Sequence, residues 1–455
     1  GPVRKVRQIP DRKGRASMNR LWKTLGGCLL GLSLTLALSA CDDLLEVEDP
    51  QRYTSEDLNE SLQAVSDGVE GDLYSAHDDI VVGAALASDE LQHTGTWAGW
   101  DDMDHGRWEY DYVSYTGQND GYLQARWFAR DTQERLKTVL GEAEAMSDPK
   151  MAQVMTVEGW TDLLQAEMFC EAPAEASGPA VSDDELMAIA REELAEAMTV
   201  AQASGATDYY TWALAGRARA NLWLGNYSEA LADAQNVPED FIHYAQYSIN
   251  GSNNWMVSVS TYGENNAGGV REKWWALVDT VAEMLRDPYT GELDPRVPIH
   301  YNPGDKGVDG ITDFYSQWKY QLRGDDIPMT HYGEMKLIEA EVHWRNEDMA
   351  QAMAALNYLR ERAGLTPHST DPMPDSDQVF EYFMHEMFAE LFVQGRRFGY
   401  LHRLGQVEEV FGSMNDPERP LPRPTKFPLD AGEARYNPEI EDNASARCLP
   451  MSGSG

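Results

Sequence analysis

The sequence predicts an all-α dominated protein, a scaffold of helical hairpins with long irregular loops and little strand. Three observations predict it. Apolar residues recur at three and four spacing through much of the chain. Residues that start and stop helices stand at the ends of those stretches. Between them lie tracts dense in Gly, Pro, Asn and aromatic residues, the composition of loops.

The periodic stretches are, in order, Gly121–Leu140, Lys150–Phe169, Asp183–Ala203, Asp208–Leu224, Tyr227–Asn236, His331–Arg345, Met349–Ala363 and Asp377–Leu404. Ser182 offers an N-cap, with Asp183 and Glu185 as acids in the first turn. Gly225 and Gly364 are placed to stop helices. The scaffold therefore covers about 120–240 and 330–410, and the loop-rich tracts are Gln92–Asn119, Phe241–Tyr320 and Asp416–Asn437. A further helical run is read in "EKWWALVDTVAEML", where the Trp274-Trp275 pair is expected to be buried. No low-complexity linker divides the chain, so residues 41–455 read as one domain with long functional loops.

Two stretches share a hairpin pattern. "ARANLWLGNYSEALADAQNVP" (Ala218–Pro238) and "AEVHWRNEDMAQAMAALNYLR" (Ala340–Arg360) each place a turn residue between helices and small alanines after it. Small residues let two helices approach closely. This resembles the tetratricopeptide pattern. The two copies are about a hundred residues apart, which reads as a packed scaffold rather than a tandem array.

The 455 residues carry a formal charge of −39. The first forty differ in kind, with eight basic residues and one acid. From Cys41 onward 29 basic face 75 acidic residues, a balance of −46. Nucleic acid and anionic membrane surfaces repel such a charge. Only seven lysines follow Cys41, so arginine dominates the cations. A salty or hot habitat and an ordinary acidic secreted protein both fit that balance.

From Met18 the chain reads "MNRLWKTLGGCLLGLSLTLALSAC". Arg20 and Lys23 precede an apolar stretch, Leu25–Ala40, of 16 residues. A membrane span needs about 20, so this length suits a signal-peptide core. It ends in Leu38-Ser39-Ala40-Cys41, which resembles the bacterial lipobox. Cys41 is then the acylated first residue of the mature chain, and residues 1–40 are an upstream extension plus a removed signal peptide. A lipoprotein cysteine bears several acyl chains, enough for stable anchoring. Asp42 and Asp43 resemble the acidic signal of lipoproteins exported to the cell surface. Cys170 and Cys448 remain as a disulfide pair or as two free thiols.

Five ordered stretches resemble the SusD/RagB family of surface lipoproteins. They are "CDDLLEVEDPQRYT" (Cys41–Thr54), "LDPRVPIHY" (Leu293–Tyr301) and "HYGEMKLIEAEVHWRNEDMAQAMAALNYLRERAGL" (His331–Leu365), followed by "EMFAELFVQGRRFGYLHRLG" (Glu386–Gly405) and "PLPRPTKFPLDAGEARYNPEI" (Pro420–Ile440). The resemblance implies a nutrient-binding lid on a SusC-like TonB-dependent outer-membrane barrel, as two barrels with two lids. Its ligand would be an oligosaccharide or a peptide. It would sit on the extracellular face of the outer membrane, held by lipid through Cys41, and would not be an enzyme. The other readings are a helical-repeat adaptor without a small ligand, and a glycan hydrolase.

Two tracts concentrate aromatics, which stack on sugar rings. The ligand candidates are Trp97, Trp100, Trp108, Tyr110, Trp255, Tyr315 and Trp318. The chain has no His-Glu-x-x-His, nucleophile elbow or phosphate-cradling glycine loop, and no cofactor is expected. Calcium is the one metal the acids suggest, through Asp101, Asp102 and Asp104 in "DDMDHG" or Asp305 and Asp309 in "GDKGVDG".

Overall fold

The computed structural model describes residues 54–107, 116–175, 178–414, 422–429, 433 and 437–440. Cys41, Trp108 and Tyr110 lie outside the described residues, as does the leader. The chain divides into two compact units, residues 1–58 and 59–455. Described residues of the first unit open α1 (Ser55–Glu60). Thr54 and Asp57 cap it reciprocally: Asp57 Oδ2 accepts from Thr54 N at 2.7 Å, and Thr54 Oγ1 accepts from Asp57 N at 3.2 Å.

The second unit is a stack of helices. It begins with α2 (Leu62–Ala87), then β1 (Leu91–His93) and α3 (Ala98–His105). Next come α4 (Thr116–Leu140), the single turn α5 (Glu142–Ala145) and α6 (Pro149–Met168). The ribbon β2 (Glu171–Pro173) with β3 (Ala180–Ser182) leads into α7 (Asp183–Ser204), α8 (Thr207–Trp223) and α9 (Tyr227–Gln235). Ser182 caps α7 by accepting from Glu185 N at 3.2 Å. Gly225 and Gly364 both adopt left-handed backbone at helix ends, φ 76° and 77°.

Helix α2 was not legible in the sequence. Ile80 to Ala87 are all buried, so the last two turns show no 3–4 rhythm, while the first half buries only the face of Val69, Leu73 and Ala76. Helix α6 is buried from Met151 to Met168 and packs on α4 and α7. Gly159 allows the α6–α7 approach, since a Cβ there would meet Leu194 Cγ at 2.7 Å. Trp160 and Trp212 stack between α6 and α8, with ring centroids 5.7 Å apart.

After α9 the chain leaves the stack through β4 (Ile242–Ala245). The insertion holds α10 (Trp255–Ser260), β5 (Gly268–Val270), a 3₁₀ turn (Glu272–Leu277), β6 (Val278–Asp279), β7 (Met284–Arg286), β8 (Leu293–His300) and β9 (Ser316–Gln317). It returns through β10 (Ile327–His331), which pairs antiparallel with β4 and closes the base of the insertion. Strands β6-β7-β8-β9 form one sheet in that order.

The stack resumes with α11 (Tyr332–Arg345), α12 (Met349–Arg362), α13 (Ser376–Glu390), α14 (Arg397–Arg403) and α15 (Val407–Gly412). Helices α8 and α9 both pack on α11. The two hairpins that are far apart in sequence are therefore neighbours in space, and the hundred residues between them loop out.

Two expected helices break. "EKWWALVDTVAEML" is the 3₁₀ turn followed by the β6–β7 hairpin. Asp279 Oδ1 accepts from Val281 N at 3.0 Å and Ala282 N at 2.9 Å, a local turn that competes with helix. Asp377–Leu404 splits into α13 and α14. Glu90 Oε1 captures Val393 N at 2.7 Å, and Val393 and Gly395 take positive φ, 49° and 73°.

Cys170 is disulfide-bonded, which removes the reading of two free thiols. It is the only cysteine among the described residues, so its partner lies outside them. Among the described residues no helix is long and apolar enough to cross a membrane.

Candidate functional site

Strands β1 and β5 pair, with Leu91 opposite Val270 and His93 opposite Gly268. This ribbon ties the first aromatic tract to the insertion. Arg271, just after β5, is 1% exposed and donates to Asp104 Oδ1 at 2.7 Å and to the Leu91, Ser88 and Leu86 carbonyls. Asp104 Oδ2 also accepts from His93 N at 2.9 Å. A buried charge on each side thus fixes α3 against the insertion.

Aromatic rings gather on both sides of that tie. Trp97 is 47% exposed and meets Trp100 edge-on at 4.7 Å. Trp100 meets Trp255 edge-on at 6.2 Å. Trp255 N donates to both Asp78 carboxylate oxygens, at 2.8 and 3.1 Å. Burial pushes the Asp78 carboxyl up to about 8, despite that N–H.

The second group is a ladder. Tyr301 and Tyr315 stack at 4.0 Å and 7°, and Tyr315 stacks on Trp275 at 4.6 Å and 15°. Beside it His300 stacks on Trp318 at 4.8 Å and meets Tyr262 at 5.0 Å. Burial raises the Tyr315 phenol, and neighbouring Tyr301 adds to it. Val270 N donates to Tyr315 O at 2.7 Å, so the ladder hangs from the same ribbon.

The structure thus groups Trp97, Trp100 and Trp255, and separately Tyr315 and Trp318 with rings that were not among the ligand candidates: Trp275, Tyr301, Tyr262 and His300. Trp274 and Trp275, expected to be buried, are both half-buried, because the 3₁₀ turn runs along the surface of the insertion and sends the two rings to different partners. Trp274 stacks on Phe388 at 4.2 Å and donates Nε1 to Asp89 O at 2.7 Å. Trp275 is half-buried at the end of the ladder. A 3₁₀ turn separates consecutive side chains by about 120°, and no helical spacing rule reveals that.

The calcium candidates occupy two settings. Asp101, Asp102 and Asp104 lie on α3 and face cations: Arg107 Nε reaches Asp102 at 3.0 Å, and Arg107 also binds Asp101. Asp309 Oδ1 accepts from Ile311 N and Thr312 N at 2.8 and 3.0 Å, which shapes the loop from within. Asp305 is half-buried in the same loop. The metal-like cluster among the described residues is Asp287, His385 and Glu386. Arg360 Nη1 already sits 2.8 Å from both Asp287 and Glu386.

That arginine belongs to a network joining the quoted motifs. Arg296 reaches Asp294 and Glu386 at 2.7 Å, and Arg397 reaches Asp89 at 2.6 Å. Arg403 pairs with Glu341 at 2.5 Å. Burial alone would raise the Glu386 carboxyl. Hydrogen bonding to His368 and the charge of Arg296 outweigh it and hold the group at about 2. These groups hold the scaffold, whereas among the candidate rings Trp97 is exposed and Trp100, Trp255, Tyr315 and Trp318 are half-buried.

The model of the SusD family matches residues 201–452. Three similar solved structures share the fold. A SusD superfamily protein from Bacteroides vulgatus is 15% identical with a TM-score of 0.63, covering 83% of this chain and 97% of its own. A SusD-like carbohydrate binding protein from the same species is 15% identical with a TM-score of 0.56, covering 76% and 84%. A laminarin binding SusD-like protein is 14% identical with a TM-score of 0.53, covering 83% and 98%. No curated protein matches the chain.

Proposed function

The chain belongs to the SusD family, and from that premise we propose that it binds an oligosaccharide with the aromatic clusters on the β1–β5 ribbon. The observation that carries this reading is the pair of ring groups, Trp97-Trp100-Trp255 and Trp275-Tyr315-Tyr301, tied to one buried ribbon. Flat faces take the C–H face of a sugar ring, and nearby polar groups take its hydroxyls. The carbohydrate-binding and laminarin-binding relatives support an oligosaccharide over a peptide.

The protein acts as a lid. Cys41 holds it by lipid to the extracellular face of the outer membrane, over a SusC-like TonB-dependent barrel. A tethered lid keeps its ligand at high effective concentration above the pore. Hinge opening then requires only that loop contacts change. The protein binds and hands over its ligand without chemistry.

Calorimetry with a panel of neutral oligosaccharides tests the ligand. Binding that weakens about tenfold in Trp97→Ala and in Trp318→Ala supports the reading, the equivalent of ~1.4 kcal/mol. Binding of peptides alone, or unchanged affinity in both variants, rejects it. Detergent extraction of the native protein tests the lid: a large barrel should co-purify, and a protein that runs alone leaves the adaptor reading. Mass spectrometry of the mature chain should find an acylated Cys41.

A further inference from the structure

Trp318 follows directly on β9, the end strand of the four-stranded sheet in the insertion. That strand pairs with β8 as far as Gln317 opposite Ile299. Past it, Trp318 N donates to Pro298 O at 2.9 Å, and the chain leaves the sheet. The next residue, Lys319, reaches across to the helical stack. Its Nζ donates to Phe392 O at 3.0 Å, in the turn between α13 and α14.

The atom it reaches is one end of a single peptide group. Phe392 O and Val393 N belong to the same planar unit. Glu90 Oε1 takes the other end, accepting from Val393 N at 2.7 Å. Two ionisable side chains therefore fix the orientation of one peptide plane from its two edges. Glu90, Phe392 and Val393 are all wholly buried. Val393 has φ 49°, a strained conformation for a β-branched residue. Such backbone persists only where its surroundings over-determine it, and it clusters at working sites. Glu90 O also accepts from Arg271 N at 3.1 Å, at the end of the β1–β5 ribbon. The clamp thus joins the ribbon, the Trp318 segment and the stack at one peptide.

We propose that Lys319 is a positioning residue of the ligand surface: its ammonium, working against Glu90 across peptide 392–393, sets where Trp318 stands beside His300. This rests on the oligosaccharide reading of Trp318, which takes the sugar while Lys319 acts through it.

The charge of the clamp changes near neutral pH. Burial pulls Lys319 down to about 8, with Arg296 helping and Glu390, Glu90 and Asp294 opposing. Burial pushes the Glu90 carboxyl up to about 7, with Asp89 adding and Val393 N, Arg397 and Lys319 opposing. His331 also faces Lys319, and burial holds it at about 4, so it is neutral in this range. As pH rises through about 8 the ammonium loses its proton. Its bond to Phe392 O then falls from charge-assisted to neutral, roughly half as strong.

Two readouts on the mature protein test this. The first needs no ligand. The fluorescence difference between parent and Trp318→Phe reports the surroundings of Trp318. It should shift between pH 7 and 9 with a midpoint near 8. In a Lys319→Arg background, whose charge does not titrate there, the difference should stay flat. In a Lys319→Met background it should stay at the parent's high-pH value. The second readout is calorimetry with the tightest binder of the neutral oligosaccharide panel. Parent affinity should fall about fivefold from pH 7 to 9, Lys319→Arg should keep its pH 7 affinity, and Lys319→Met should be about fivefold weaker throughout. Asp78 titrates at a similar pH beside Trp255. A decline that persists unchanged in Lys319→Arg belongs elsewhere and overturns the proposal. So does a pH-independent parent fluorescence difference, or a Lys319→Met affinity within twofold of the parent at pH 7. A purely structural lysine would lower Tm in Lys319→Met and leave fluorescence and affinity alone. If no oligosaccharide binds, the glycan reading fails, and the fluorescence midpoint still decides on Lys319.

Discussion

Trp160 and Trp318 are the same residue type in opposite settings. Trp160 is wholly buried, stacked on Trp212, with its Nε1 donating to Trp212 O at 3.1 Å. Trp318 is half-buried in the insertion and stacks on His300. Charges occur in both settings too. Arg360 of the stack is buried against Glu386 and against Asp287 of the insertion. In the insertion Lys306 and Asp313 pair at the surface, 2.6 Å apart. Burial with a partner marks groups that hold the stack together, whereas half-exposed stacked rings mark groups that can still gain contact area. Substitution of the first kind of group should cost stability, and of the second kind, binding.

The largest expected effect is on the scaffold side. Arg360→Ala leaves buried Asp287 without its arginine and Glu386 with Arg296 alone, and should lower unfolding stability by about 3 kcal/mol. Urea denaturation measures it, and a loss of about 1 kcal/mol or less would remove the contrast between stack and insertion. Gly159→Ala follows, because its new Cβ would press on Leu194 Cγ at 2.7 Å. Overpacking of that kind costs about 1–3 kcal/mol, read as a lower Tm. Trp318→Ala should do the reverse of both. Its stability should stay within about 1 kcal/mol of the parent while oligosaccharide affinity falls about tenfold. A large drop in Tm would instead place Trp318 with the scaffold.

A pH-dependent effect tests the boundary between the regions, at Asp78. Its carboxyl titrates at about 8 in the folded chain, against an unperturbed value of 3.8. The folded state keeps the proton while the unfolded state has lost it. Stability is therefore highest below pH 3.8 for this group, and falls as pH rises from about 4 to about 8. Asp78→Asn keeps an oxygen acceptor for Trp255 N and removes the titration. Its Tm should decline less than the parent's between pH 5 and 8, and parallel curves would contradict the assignment.

Much of the helical stack could be read in the sequence. The periodic stretches from α4 to α12, the Ser182 cap and the glycine stops appear with ends displaced by a few residues. These signals are local, since a helix face repeats within four residues and a cap bonds within three. The end of helix α2 escaped because a segment buried all round, Ile80–Ala87, has no polar face to set the rhythm. The 272–285 run escaped because Asp279 offers its neighbours a turn that competes with the helix.

The candidate site was legible as a composition and not as an arrangement. Trp97, Trp100, Trp255, Tyr315 and Trp318 stand out in sequence as aromatics in loop-rich tracts. Their partners do not, because Trp100 meets Trp255 across 155 positions through the pairing of β1 with β5. What the sequence determined by itself was helix type, helix ends and the motifs of the family, all set by neighbours within one or two turns. The tertiary structure alone decided that hairpins a hundred residues apart adjoin, and that Trp274 packs on Phe388 while Trp275 joins the ladder, both half-buried. It also decided that Arg296, Arg360 and Glu386 share one network. Each of those outcomes depends on long-range burial, where desolvated charges and large rings must find partners that no local spacing encodes.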